Sequence, residues 1–456
     1  MADRRNSLVQ FVKSQLSEGH ERSIRVKRNI LVSFVCRSVG LALGFVLVPV
    51  MLGYLNPVRY GIWLTLVSIV GWFGFVDLGL GNGLRNRFAE ALARDDRQLA
   101  RIYVSTSYAL LAAVVLGVYA IFLALRPFLD WQRILKAPTG LTDDLGAVVG
   151  IVFTFFLLQI LIRLIGTMLI AEQKSAVNDI LDTTGVLIAW VVVVALSRTT
   201  EASLTYLAWG VGSSYVVVYG VVSLVLFRGR YRSFTPSLAH VNFSYARDLS
   251  GLGVRFFLLQ VSGVVIFSTD NIIITRLFGS SFVPPYMVSM KYFGLLSAVF
   301  SVLLFPFWSA YTEAFQKGDY DWIRIIVRKI TGVWALLSAG AVVMLGVSGI
   351  AYKLWIGDAL RIPFCLSALM AMFTIISMWN AIFAYFVNGV GKIRLQVYSN
   401  VTGGLINIPL SIFFARFFGV SGVILATIVC IFPASVLLPI QYRKIIGGRA
   451  GGIWNA

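Results

Sequence analysis

Apolar runs long enough to cross a bilayer follow one another from about Asn29 to Tyr442, with only short polar stretches between them. A hydrocarbon core of about 30 Å takes about 20 apolar residues of helix. Inside it every backbone N–H and C=O must be satisfied by the protein itself, which leaves helices or closed barrels. Unbroken runs of this length select helices. Composition agrees, because 58% hydrophobic against 13% charged residues and a mean hydropathy of +0.83 leave too little charge to keep 456 residues in water. The expected class is an all-α polytopic membrane protein of about 12 transmembrane helices. The spans read as 29–52, 61–80, 102–125, 146–171, 179–197, 204–227, 251–277, 283–311, 329–350, 363–387, 396–415 and 419–441.

A formal net charge of +19 would suit a nucleic-acid surface, but its placement argues for topology. Of 39 Lys and Arg, 26 fall at the two termini and in the connections that share their side. Nine fall on the other side and four inside spans, so the positive-inside rule puts both termini in the cytoplasm. Residues 1–28 are polar and basic and lack a signal-peptide pattern; positions 7–16 read as a short interfacial helix or a tail. The expected organisation is a cytoplasmic segment 1–28, a first lobe of six spans 29–227, a cytoplasmic linker 228–250, a second lobe 251–441 and a cytoplasmic tail 442–456.

An internal repeat supports the halving. EALARDDRQLARIYV at 90–104 and EAFQKGDYDWIRIIV at 313–327 match at Glu90/Glu313, Ala91/Ala314, Asp96/Asp319, Arg101/Arg324, Ile102/Ile325 and Val104/Val327. Lys174/Lys392, Thr184/Thr402 and Gly185/Gly403 align further on. An even number of spans in each half makes the repeat parallel, about an axis along the membrane normal, with a cavity between two bundles.

Charged side chains within spans are costly, about 2.5–3.5 kcal/mol for a mid-membrane cation on insertion scales, and need partners or a wet cavity. Arg37, on a face with Ser33, Gly40 and Gly44, and Lys291, beside Gly294, are the deep ones and read as cavity cations. Arg163 and Arg255 lie nearer the cytoplasmic ends, where snorkelling to headgroups competes with a cavity role. Asn380 and Asn407 head polar stripes on spans ten and eleven and read as cavity lining. Asp77 reads as a cap or a partner of Arg85 or Arg87; Asp270 either binds a coupling ion or pairs with a cation. An interior with more cations than acids favours an anionic substrate, and Arg forks and a Lys point charge suit phosphate oxygens.

Catalytic and metal residues are not expected. Cys36, Cys365 and Cys430 sit in apolar runs without CxxC spacing, and His20 and His240 are the only histidines. Gly79 to Gly83 resembles a piece of a dinucleotide loop but has no strand or βαβ context.

The segments LVPVMLGYLNPVRYGIW, FVDLGLGNGLRNRFAEALARDD and STDNIIITRLFG give the chain a resemblance to bacterial polysaccharide transporters. These belong to the multidrug/oligosaccharidyl-lipid/polysaccharide exporter superfamily. The resemblance implies a MATE-like fold of two six-helix lobes working by alternating access, and no enzyme activity. It implies flipping of an undecaprenyl-pyrophosphate-linked oligosaccharide across the bacterial inner membrane for O-antigen, capsule or exopolysaccharide. Arg37, Arg255 and Lys291 occupy places comparable to the family's cationic cavity residues. No cofactor is implied beyond an H+ or Na+ gradient, and the implied partners are membrane lipids and a polymerase or glycosyltransferases, with a monomeric transporter and no nucleic acid. A cation-coupled multidrug exporter of small organic cations is the alternative, and a membrane-embedded glycosyltransferase a third reading.

Overall fold

The computed structural model describes residues 21–75, 80–138, 141, 143–172, 174–246, 269–304 and 307–455. Among them the chain is helical, without strands. In the first half, α1 is Glu21–Gly71, α2 Leu80–Ala93, α3 Arg97–Leu125, α4 Leu145–Ile162, α5 Leu164–Ala171, α6 Ser175–Thr199 and α7 Leu204–Arg228. The second half holds α8 Asp270–Phe278, α9 Val283–Leu304, α10 Phe307–Gln316, α11 Tyr320–Gly346, α12 Ser348–Ile356, α13 Phe364–Val390, α14 Arg394–Phe418 and α15 Val420–Ile446.

Ten segments are long and apolar enough to span a membrane, and the first, Leu31–Gly74, covers two expected spans. It bends where the sequence reads Asn56-Pro57. Asn56 takes φ 61°, and its side chain accepts from the amides of Val58 and Arg59, both at 3.1 Å. An Asn cap followed by Pro at the first helical position starts a new helix and ends the old one. The seventh expected span lies outside the described residues except for its end, α8; so do the 7–16 segment and Asp77.

The expected fourth span is broken once, at Arg163, between α4 and α5. The linker does not hang free in its described part, 229–246. Phe234 packs edge-on against Phe88, and Asn242 donates to Thr106 Oγ1 at 3.0 Å. Arg101 Nε donates to the Thr235 carbonyl at 3.2 Å. Tyr231 is buried, and that burial, with the Glu172 carboxylate nearby, pushes its phenol well above the usual range.

The repeat is visible as a shared turn. Asp95 (φ 52°) and Gly318 (φ 70°) take the left-handed conformation, and the next residue caps the following helix. Asp96 accepts from Leu99 N at 2.8 Å and Asp319 from Trp322 N at 3.1 Å. The preceding bonds also match, Asp96 N to Ala91 O and Asp319 N to Ala314 O. Arg101 reaches the segment after α7, and Arg324 reaches Ile446 O at the end of α15.

Within the first half α1 packs on α6, and α4 and α6 pack on α7; within the second α13 and α14 pack on α15. Among the described residues the main packing between the halves runs through α1, against α8, the turn Ser280–Phe282, α9 and α12. That turn, the Asn56 bend and the α6–α7 connection share one end of the molecule; the linker and the Asp95 and Gly318 turns share the other.

Candidate functional site

The two lobes close on each other at the Asn56 end. Thr65 Oγ1 and Thr275 Oγ1 share a buried hydrogen bond of 2.7 Å, and Asn271 Nδ2 donates to Ser68 Oγ at 2.7 Å. Gly61 permits this approach, since a Cβ there would stand 1.7 Å from the Ser280 carbonyl oxygen. Further along α1, Phe45 and Trp355 of α12 stack at 3.6 Å between centroids. Pro49 has no N–H, so the Phe45 carbonyl lacks its usual helical donor; the Trp355 indole supplies one at 3.1 Å. The same substitution recurs in α15. Pro439 leaves the Ser435 carbonyl without its donor, and Trp379 Nε1 donates at 2.9 Å.

Lys291 sits in this seam. Its Nζ donates to the Gly44 carbonyl of α1 at 3.3 Å, and among the described residues no carboxylate lies within 4 Å of it. Gly44 is seven residues, about 10 Å along the helix, from Arg37. The sequence reading placed both on one face of span one, and the structure places Lys291 against that helix from the opposite lobe.

Arg37 and Arg163 are placed differently. Arg37 Nη2 lies 3.6 Å from Asp179 Oδ1, and Arg163 Nη2 lies 2.6 Å from Asp182 Oδ1. Tyr219 also donates to Asp182 Oδ1, at 2.9 Å, with its ring 5.6 Å from the Arg163 guanidinium. Both carboxylates belong to α6, one turn apart. Sequence reading set both at the start of span five, 179–197, but weighed neither as a partner for a cation; the helix begins earlier, at Ser175, and carries both into the bundle. The signal was present as Asp179 and Asp182 at i, i+3, opposite two unassigned arginines. Arg255 lies outside the described residues. Arg87 pairs with Glu90 at 2.8 Å.

A second polar group is sealed inside the other lobe. Asp270 opens α8, is 4% exposed, and accepts a short bond from the Tyr286 phenol of α9. Among the described residues its other oxygen meets no donor within hydrogen-bond geometry, with the Thr427 hydroxyl nearby. Nearby, Thr269 Oγ1 donates to Asn407 Oδ1 at 3.4 Å and Asn407 Nδ2 to Thr427 Oγ1 at 3.2 Å, all three buried. These are neutral or anionic oxygens, which suit a proton or a small cation and repel phosphate. Asn380 donates to Ile431 O at 3.1 Å and so ties α13 to α15. Lys291 and Tyr286 are five residues apart on α9, so one helix carries both the seam cation and the partner of Asp270.

Solved structures share this architecture. The inward-facing conformation of a multidrug resistance MATE family transporter of the MOP superfamily matches with a TM-score of 0.71 and 14% identity. That match covers 91% of this chain and 98% of the other. This chain has the MATE fold. The outward-facing conformation of such a transporter matches at 0.64, with 14% identity, over 95% and 98% of the two chains. In sequence, the chain is 24% identical over 382 residues to a putative O-antigen export protein of Yersinia pseudotuberculosis, covering 81% of this chain and 85% of the relative. It is 22% identical over 436 residues to a putative O-antigen transporter of Salmonella typhi, covering 92% and 97%. No protein-family model matches the chain. The resemblance to polysaccharide transporters of this superfamily therefore stands, and the chain is a multi-pass membrane transporter.

Proposed function

We propose that this transporter flips an undecaprenyl-pyrophosphate-linked oligosaccharide across the bacterial inner membrane, with its termini in the cytoplasm. The observation that carries the reading is Lys291, a cation at the lobe seam with no carboxylate beside it among the described residues. An ammonium held only by a carbonyl can exchange that contact for a phosphate oxygen. The relatives named as O-antigen transporters supply the substrate class. Closure at the Asn56 end, with the positive-inside orientation, corresponds to an inward-facing state, in line with the better match to the inward-facing neighbour. Asp270 is the candidate for H+ or Na+ coupling, and its bond to Tyr286 links it to the helix that carries Lys291. Opening of the seam would free Lys291 and shift α9 together. A monomer working beside a polymerase or glycosyltransferases completes the proposal.

The test is translocation of a fluorescent polyprenyl-pyrophosphate oligosaccharide in proteoliposomes, scored by enzyme accessibility from outside. Lys291→Ala should lower the rate at least about tenfold, the loss of one charge-assisted contact, with normal insertion. Wild-type flipping retained by a well-inserted Lys291→Ala protein would remove the site. Protein that flips no such lipid but exchanges small organic cations would instead support the multidrug reading, whose one support here is buried Asp270.

A further inference from the structure

Away from the seam, α9, α10 and α11 leave a groove of about 230 Å³ at the linker end of the second lobe. Its walls include Phe300, Leu303, Phe307, Ile330 and Val333; among the described residues Lys329 is the one charged member, lining the groove with its aliphatic stem while its ammonium lies outside the apolar surface. Phe300 and Ile330 are buried, while Leu303 and Lys329 are exposed, so the groove has an apolar floor and opens at the protein surface. Lys329 has no carboxylate within 4 Å among the described residues, whereas Arg324, on the same helix, pairs with Asp321 at 2.5 Å. Arg328, next to Lys329, is exposed as well.

The level in the membrane matters. The apolar stretch of span nine begins at 329, so Lys329 stands where hydrocarbon gives way to headgroups and the groove runs below it. Leu303 lies twelve residues along α9 from Lys291, about 18 Å, so this is not the seam. An apolar slot cannot stay empty beside lipid, and a basic residue at the mouth of an interhelical pocket on this side selects an anionic headgroup.

We propose that this groove is a binding site for an anionic glycerophospholipid of the bilayer. One acyl chain lies along Phe300, Leu303, Ile330 and Val333, on the hydrocarbon side of Lys329, and the phosphate rests on the Lys329 ammonium at the mouth. The proposal is independent of what the transporter carries.

Native mass spectrometry of the full-length protein, delipidated and then offered phosphatidylglycerol or phosphatidylcholine with identical chains, tests it. Wild type should retain one phosphatidylglycerol with about fivefold preference over phosphatidylcholine. Lys329→Gln should lose that preference while keeping the weaker lipid, and Val333→Trp, which fills the slot below Lys329, should retain neither. Lys329→Gln carries the decision if the tryptophan variant does not fold. Unchanged preference in folded Lys329→Gln would overturn the proposal. So would retention of a polyprenyl phosphate ahead of phosphatidylglycerol when both are offered, which would make the groove a seat for the cargo's chain.

Discussion

A guanidinium inside a membrane is free to hold a substrate anion only when no carboxylate already satisfies it, and Asp179 and Asp182 stand beside Arg37 and Arg163 at 3.6 and 2.6 Å. The shorter pair also shares its acceptor with Tyr219, which makes it a tie between α5, α6 and α7 as much as a charge. Interhelical polar contacts in membranes are worth about 0.6 kcal/mol on average and about 1.7 at most. Arg163→Ala should therefore cost about 1 kcal/mol of stability, seen as a lower melting temperature in one detergent, and leave flipping within about twofold of wild type. Lys291→Ala should do the reverse. If Arg163→Ala melts like wild type yet stops flipping, Arg163 belongs with the cargo after all. From sequence, the four cations within expected spans were legible as a set, because charge within an apolar run stands out. Which of them carried partners was not, since periodicity along one helix says nothing of what the next helix brings opposite.

Helix breaks followed the same division. The bend at Asn56 is written locally, in an Asn followed by Pro, and the caps at Asp96 and Asp319 are written in the turns that precede them. The interruption at Arg163 has no proline or glycine at its centre; it accompanies the pairing with Asp182 on another helix. Prolines at 49 and 439 announce missing donors, but the residues that replace them, Trp355 and Trp379, come from other elements. This makes a direct test of the α1–α12 contact. Trp355→Phe keeps the ring stack and removes the indole N–H, so it should destabilise the protein by about 1 kcal/mol by leaving a carbonyl unpaired. In a Pro49→Ala background, where the helix supplies its own donor, the same change should cost much less. Equal losses of melting temperature in both backgrounds would show that the indole bond carries no weight.

For the molecule as a whole, the all-helical membrane class was readable because the bilayer imposes one length on every crossing segment, and ten such segments stand among the described residues. The closed end was not readable, because it rests on single small residues such as Gly61 and on hydroxyl pairs between lobes. If transport requires the lobes to part there, joining Thr65 and Thr275 should stop it. With Cys36, Cys365 and Cys430 replaced by Ser, a Thr65→Cys, Thr275→Cys protein should flip substrate when reduced and lose most activity when oxidised. Full activity of the cross-linked form would rule out opening at this seam. The paired turns at Asp95–Asp96 and Gly318–Asp319 point further back. Lipid-facing positions exchange one apolar residue for another without penalty, so two descendants of a single ancestral gene segment soon lose their likeness there. A turn in water that needs a left-handed residue followed by a capping carboxylate has few acceptable spellings. The left-handed position has already changed its residue, Asp in one copy and Gly in the other, while the bend has not. The ancestry of such a chain is preserved in its aqueous corners rather than in the helices that make up its bulk.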